Sequence, residues 1–97
     1  QPLAATATIA DGLRTTLSPR TLAALRAHVD DIVTCSESAI VRAMRIMFER
    51  MKQVVEPSAA VPLACLLERT LDVGGKRVGI IVSGGNVDLD RLPWQAQ

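Results

Sequence analysis

The run of apolar residues at 78–82 constrains the fold of this 97-residue chain more than any other feature. It is rich in β-branched residues and has no alternation of polar and apolar positions, which predicts a central strand covered on both faces, as in a parallel sheet flanked by helices. Residues 30–35 form the one other strand-like segment, entered from an acidic turn. Two strands cannot form such a sheet, so we expect a further polypeptide segment to supply the rest.

Three helical segments accompany the two predicted strands. Ser18-Pro19 predicts a helix that runs to about His28, because serine caps and proline suits the first helical position. Ser36 predicts the cap of a second helix with apolar side chains at helical spacing, including three methionines that we interpret as core. Pro57 opens a third, very apolar helix towards about residue 70, and the polar tail after Asp88 is expected on the surface. The order predicts an α/β fold.

Composition excludes several classes of protein. The net charge is +1 with both signs interspersed, so the basic stripe of a nucleic-acid-binding protein is lacking. No apolar stretch has the length of a membrane span. Cys35 and Cys65 lack the spacing of a metal site, so we interpret them as small buried side chains. This use of cysteine favours a reducing compartment, and we expect a cytoplasmic protein.

A glycine turn at Ser83-Gly84-Gly85-Asn86 directly follows the predicted central strand. Ligands of open α/β sheets bind at the carboxyl ends of strands, and glycines let the backbone approach a ligand closely. A tight structural turn would need the glycines equally well. Glu56, just before Pro57, also has two interpretations, a partner for the start of the third helix or a carboxylate held in a cleft.

Five short motifs, taken together and in order, resemble the C-terminal part of the serine/threonine dehydratases and serine racemases, pyridoxal-phosphate enzymes of fold type II. They are TIADGL at 8–13, VDDIV at 29–33, FERMK at 48–52, VEPSA at 55–59 and IVSGGNVD at 81–88. The resemblance implies that residues 1–97 are the C-terminal segment of the large domain, with helices packed on a mostly parallel sheet that an N-terminal part completes. It implies no regulatory domain, and a homodimer as is usual in the family.

The resemblance also implies roles for individual residues. Ser83 matches the serine that hydrogen-bonds the pyridine nitrogen of pyridoxal 5'-phosphate. Gly12 matches a glycine that lies against the cofactor and the substrate. Glu56 and Gly84 match positions beside the cofactor, and Thr15 aligns with a residue that reaches the distal group of the substrate. Arg14, next to it, would favour an acidic substrate unless it is simply solvated. The Schiff-base lysine is expected upstream of this chain, so no catalytic residue is assigned within it.

The resemblance also bears on a nucleotide effector and on the width of the substrate pocket. Lys52 and Asn86 match residues that help to bind an activating nucleotide in the racemase branch. Ala59 or Ala60 stands where many relatives have glycine, and the extra methyl group would narrow the pocket. The expected activity is elimination of water from serine, threonine or 3-hydroxyaspartate to give an oxo acid and ammonia. The alternatives are racemisation of serine and a non-catalytic binding or regulatory module.

Overall fold

The computed structural model describes residues 8–13 and 16–95 and is helical wherever it has regular structure. A 3₁₀ turn, Asp11–Leu13, is followed by three α-helices: α1 is Pro19–His28, α2 is Glu37–Met51 and α3 is Pro57–Leu67. All three predicted helices are therefore confirmed. The third ends at Leu67, a little earlier than predicted.

The helices begin where their capping residues dictate. The Ser18 hydroxyl accepts a hydrogen bond from the Thr21 amide and the Ser36 hydroxyl accepts one from the Ala39 amide, so each satisfies a donor that its helix leaves unpaired. Helix α3 starts with Pro57 at its first position and continues through Pro62, which lies early enough in the helix to be tolerated. Helix α2 ends at Lys52, whose φ of 59° is left-handed.

Helices α2 and α3 pack on each other and form the core. Small side chains dominate the contact, because alanine lets two helix backbones approach closely. The buried residues of the two helices are Ala39, Ile40, Ala43, Met44, Met47, Ala59, Ala60, Ala64 and Cys65. The predicted methionine core is confirmed for Met44 and Met47, whereas Met51 is 60% exposed at the end of its helix.

A carboxylate joins the start of α2 to the end of α3. The Ser36 amide and hydroxyl donate to the two oxygens of Glu68 at 2.6 and 2.7 Å. These two hydrogen bonds, with a smaller contribution from Arg42, lower the pKa of Glu68 below its ordinary value of 4.5. Ser36 thus caps α2 while it also holds the last turn of α3.

Neither predicted strand is paired within the described part of the chain. Residues 31–36 and 76–88 are non-helical segments without sheet hydrogen bonding. Ile32 is 69% and Ile81 is 83% exposed, whereas Ile80 and Val87 pack partly against the core. A strand exists only against a neighbour, because its backbone donors and acceptors point outward. The sheet therefore stays a prediction that depends on strands outside these residues.

The tail is less exposed than its composition suggests. Leu92 is 5% exposed, and the Trp94 ring lies 5.5 Å from the ring of Phe48 on α2. The prediction of a surface tail is therefore wrong for these two residues, because two apolar side chains suffice to anchor an otherwise polar segment. None of the helices among residues 8–13 and 16–95 is both long and apolar enough to cross a bilayer.

Candidate functional site

Three segments that are distant in sequence meet at the start of α3. The Gly12 amide in the 3₁₀ turn donates to the Ser58 hydroxyl at 2.9 Å. The Glu56 amide donates to the Gly84 carbonyl at 3.1 Å. The structure therefore brings together Gly12, Glu56 and Gly84, three of the residues that the sequence singled out, around the junction at 56–58.

A side chain at either glycine of the 83–86 turn would collide with a neighbouring group, a side chain at Gly84 and the backbone at Gly85. A Cβ at Gly84 would overlap the Glu56 carboxylate, and a Cβ at Gly85 would lie 2.6 Å from the Val54 carbonyl oxygen. Both contacts are closer than a methyl group tolerates. The structural interpretation of these glycines is thus supported, and the same close contact sets the turn beside the Glu56 carboxylate.

Glu56 occupies the N-cap position of α3 but does not cap it. Its φ and ψ of −76° and 160° are extended, as a cap requires, yet its carboxylate accepts no hydrogen bond from the first turn. The half-buried side chain lies against Gly84 instead. The Glu56 side chain therefore does not cap α3, and its half-buried carboxylate faces the glycine turn instead.

Ser83 and Thr15 have different outcomes. Ser83 is exposed, and within the described residues its hydroxyl forms no hydrogen bond, so it is available as a donor or acceptor to a ligand. Thr15, with its neighbour Arg14, lies outside the described residues.

Lys52 and Asn86 are both exposed, and no hydrogen bond joins them in the described structure. The Lys52 ammonium donates to the Glu49 carbonyl at 2.6 Å, at the end of its own helix. Phe48, Glu49 and Lys52 line an open groove of about 330 Å³. The lining of this groove therefore combines one aromatic ring with one carboxylate and one ammonium group.

Ser58 is a residue of the site that sequence reasoning did not single out. It is the second residue of α3, half-buried, and its hydroxyl contacts a glycine 46 positions away. The motif at 55–59 contains it, but only the fold reveals its partner.

Cys35 and Cys65 are neighbouring free thiols away from the glycine turn. Cys65 is buried and Cys35 is half-buried against the core, in agreement with their interpretation as packing residues. Burial, and then the adjacent Cys65 side chain, raise the pKa of Cys35 to about 11. At neutral pH Cys35 is therefore a poor nucleophile. Among the described residues, no group of three or more potential ligands could hold a metal ion.

Proteins of known sequence place this arrangement in context. The chain is 49% identical over 87 residues to a beta-hydroxyaspartate dehydratase of Paracoccus denitrificans, a match that covers 90% of this chain and 28% of the relative. It is 49% identical over 85 residues to an L-threo-3-hydroxyaspartate ammonia-lyase of Saccharomyces cerevisiae, covering 87% of this chain and 26% of the relative. The chain thus spans little more than a quarter of these relatives.

Solved structures agree in fold and in family. The structure of maize serine racemase matches 93% of this chain and 29% of its own length with a TM-score of 0.83 and 45% identity. A pyridoxal 5'-phosphate-dependent aspartate racemase matches with a TM-score of 0.84 and 36% identity, over 94% of this chain and 30% of its own. The family model described as "Pyridoxal-phosphate dependent enzyme" matches residues 1–84. This chain belongs to the family of pyridoxal-phosphate-dependent enzymes.

Proposed function

We propose that the protein containing this chain is a pyridoxal-phosphate-dependent ammonia-lyase of β-hydroxy amino acids. Its substrate would be serine, threonine or 3-hydroxyaspartate, which loses water and is then hydrolysed to an oxo acid and ammonia. Similarity to relatives named for 3-hydroxyaspartate supports this class, since both are 49% identical to this chain. A solved threonine deaminase, 47% identical with a TM-score of 0.73, supports the same reaction type.

The observation that carries the proposal is the exposed, unbonded hydroxyl of Ser83 at the end of the apolar run, on a turn tied to α3. When bound, the cofactor ring withdraws electrons from the α-carbon of the substrate. A serine hydroxyl is a near-neutral partner for the pyridine nitrogen, so it would not keep that nitrogen protonated as a carboxylate would. The weaker electron withdrawal suits rapid loss of a β-hydroxyl group.

The neighbouring residues fit the edge of such a site. Gly12 and Gly84 present backbone without side chains, and the Glu56 carboxylate is half-buried beside the turn. The missing Cβ atoms of the two glycines leave room for the Ser58 hydroxyl and the Glu56 carboxylate, so each glycine brings a polar side chain against the proposed edge of the site. We assign these residues and Ser83 to cofactor binding, Thr15 to contact with the substrate, and Lys52 with Asn86 to a nucleotide effector.

The rest of the site would come from an N-terminal part of the same enzyme. The open apolar side chains at 78–82 need strands on either side, and the relatives are more than three times as long as this chain. Residues 1–97 would then be the C-terminal segment of the large domain, with the Schiff-base lysine upstream. We further propose a cytoplasmic homodimer.

Serine racemase activity is the second candidate. It is supported by the likeness to maize serine racemase and by a Dictyostelium discoideum serine racemase that is 43% identical over 89 residues. Racemisation needs an acid/base group on each face of the substrate's α-carbon. In this proposal both would lie upstream of the chain.

The test uses the full-length protein. We expect it to take up pyridoxal phosphate, seen as absorbance near the visible edge, and to release an oxo acid and ammonia in equal amounts from one of the three substrates. Chiral chromatography of the remaining amino acid separates elimination from racemisation. A full-length protein that takes up no cofactor would overturn the proposal, and D-serine as the main product would favour the racemase.

A further inference from the structure

We propose that Ser58 is a positioning residue, which holds the 3₁₀ turn at Asp11–Leu13 against the start of α3 and so sets how closely that turn approaches the amino-acid substrate. This inference rests on the proposed function, because it needs a substrate beside Gly12. It assigns a role to a residue that touches neither cofactor nor substrate.

The contact between Ser58 and Gly12 is close and specific. The Gly12 amide donates to the Ser58 hydroxyl oxygen at 2.9 Å. The position of a Cβ on Gly12 lies 2.9 Å from that oxygen and 3.3 Å from the Ser58 Cβ. The turn can therefore rest on Ser58 only because residue 12 is glycine, and the hydrogen bond fixes the backbone at that point.

The other hydrogen bonds of the 3₁₀ turn do not fix its distance from α3. The Asp11 amide donates to the Ile9 carbonyl and the Leu13 amide donates to the Ala10 carbonyl, so both hydrogen bonds are local. Ala10 is buried, and the Ile9 amide donates to Glu37 on α2 at 3.1 Å, which anchors the side of the turn that precedes Gly12. Ser58 is thus the hydrogen-bonding partner that ties Gly12 itself to α3.

Ser58 is separable from the Glu56 contact. Glu56 holds Gly84 through its backbone amide, which a change of the Ser58 side chain leaves in place. Removal of the Ser58 hydroxyl should therefore loosen the Gly12 turn without moving the 83–86 turn. We expect the affinity for substrate to change more than the affinity for cofactor, because the Glu56–Gly84 contact beside the cofactor stays in place.

The experiment measures kinetics and cofactor titration on the full-length holoenzyme. Ser58→Ala should raise KM for the amino-acid substrate by about threefold to tenfold, the effect of one lost hydrogen bond, while kcat and the Kd for pyridoxal phosphate stay within about twofold. Ser58→Thr retains a hydroxyl and should restore KM. The thermal unfolding midpoint of each holoenzyme verifies that the variants are folded.

A second pair of variants uses the steric side of the contact. Gly12→Ala should raise KM because its methyl group meets the Ser58 oxygen, and combining it with Ser58→Ala removes that oxygen. We expect the KM of the double variant to lie well below the product of the two single effects. If Ser58→Ala does not fold, Ser58→Cys takes its place, because it keeps the volume of the side chain but is a weaker hydrogen-bond acceptor: KM must rise while the cofactor Kd stays within about twofold.

Several outcomes would overturn the inference. They are an unchanged KM in an active Ser58→Ala holoenzyme, equal impairment of Ser58→Thr and Ser58→Ala, or a cofactor Kd that rises by the same factor as KM. Failure of the proposed function is recognised separately, because the wild-type protein would then take up no cofactor before any variant is measured.

Discussion

Gly84 and Gly85 are adjacent, yet the structure gives them different consequences when mutated. Gly85→Ala would place a methyl group against the backbone of Val54, which lies in the short connection between α2 and α3. Because this backbone can move only if the connection moves with it, we expect the unfolding free energy to fall by about 1–3 kcal/mol. Gly84→Ala would instead displace the end of the flexible Glu56 side chain. We expect a smaller loss of stability and a weaker affinity for pyridoxal phosphate.

Gly74→Ala is the matched control for both glycine variants. A Cβ at Gly74 would lie 3.4 Å from an Asp72 carboxylate oxygen, which is an ordinary contact, so the change in stability should stay within about 0.5 kcal/mol. Urea unfolding and cofactor titration of the full-length protein measure both effects. Equal stability of Gly85→Ala and Gly74→Ala would refute the packing argument.

The raised pKa of Cys35 predicts that its thiol is alkylated slowly. Because burial and the Cys65 side chain raise its pKa to about 11, Cys35 is protonated at pH 8. Its alkylation by iodoacetamide should be at least about tenfold slower than that of glutathione and should accelerate as the pH approaches 11.

Cys65→Ala removes the neighbouring thiol and is the comparison for the alkylation experiment. It should shift the rate profile of Cys35 towards the ordinary pKa of 9.0. Mass spectrometry of the labelled peptide reports the rate. Labelling of Cys35 as fast as glutathione at pH 8 would contradict the burial of its thiol.

The residues of the site differ in how far the sequence could predict them. Ser83, Gly84, Glu56 and Gly12 stand in short motifs whose order along the chain is readable. Ser58 stands in a motif too, but its role depends on a hydrogen bond to a residue 46 positions away. Pairing across such a distance is decided by tertiary packing and leaves no periodicity or spacing to detect.

At the scale of the elements, helix starts were predictable and strands were not testable. Ser18-Pro19, Ser36 and Pro57 each act on their own first turn, so a local pattern fixes each helix start. The last turns were less predictable, because the end of α3 depends on Arg69 taking a left-handed φ of 56°. A non-glycine residue with that geometry has no clear sequence pattern.

The link between Glu68 and Ser36 predicts a pH-dependent stability of the α2–α3 pair. The lowered pKa of Glu68 means that its stabilising contribution is complete above its ordinary pKa of 4.5 and is lost as the pH falls through the lower folded value. Glu68→Gln should therefore lower the unfolding midpoint slightly at pH 7. The difference from wild type should vanish once the pH falls below the folded pKa of Glu68.

Glu49→Gln is the control for this link between helices. Its exposed ion pair with Arg45 lies within α2 and joins nothing to α3, so its loss should leave the midpoint nearly unchanged. Thermal unfolding from pH 3 to pH 8 on the full-length protein makes the comparison. A Glu68→Gln difference that persists or grows at low pH would show that the carboxylate is not the source of the effect.

At the scale of the whole molecule, most side chains of the apolar run at 78–82 are exposed within the described residues, although Ile80 packs partly against the core. Ile81 is 83% exposed and both Val78 and Val82 are 46% exposed, although the run is typical of a buried strand. The neighbouring strands would lie in sequence that this chain does not contain, so no reading of it could place them. The α2–α3 pair, by contrast, packs through contacts within the described residues.

Ile81→Asn tests the proposed sheet because it should be harmful in the complete protein and favourable in the isolated chain, where it should reduce self-association. In the complete protein we propose that Ile81 is buried between helices, so a polar amide there should lower the unfolding free energy by about 2–4 kcal/mol. In the isolated 97-residue chain Ile81 is exposed, and the same change should reduce self-association, because it removes the most exposed member of an open apolar run. Leu89→Asn is the control, because Leu89 follows the run in the tail that the sequence predicts on the surface, and it should be nearly neutral in the complete protein. Sedimentation of the isolated chain and urea unfolding of the complete protein measure the two effects, and an Ile81→Asn protein as stable as Leu89→Asn would mean that residues 78–82 are not a buried strand.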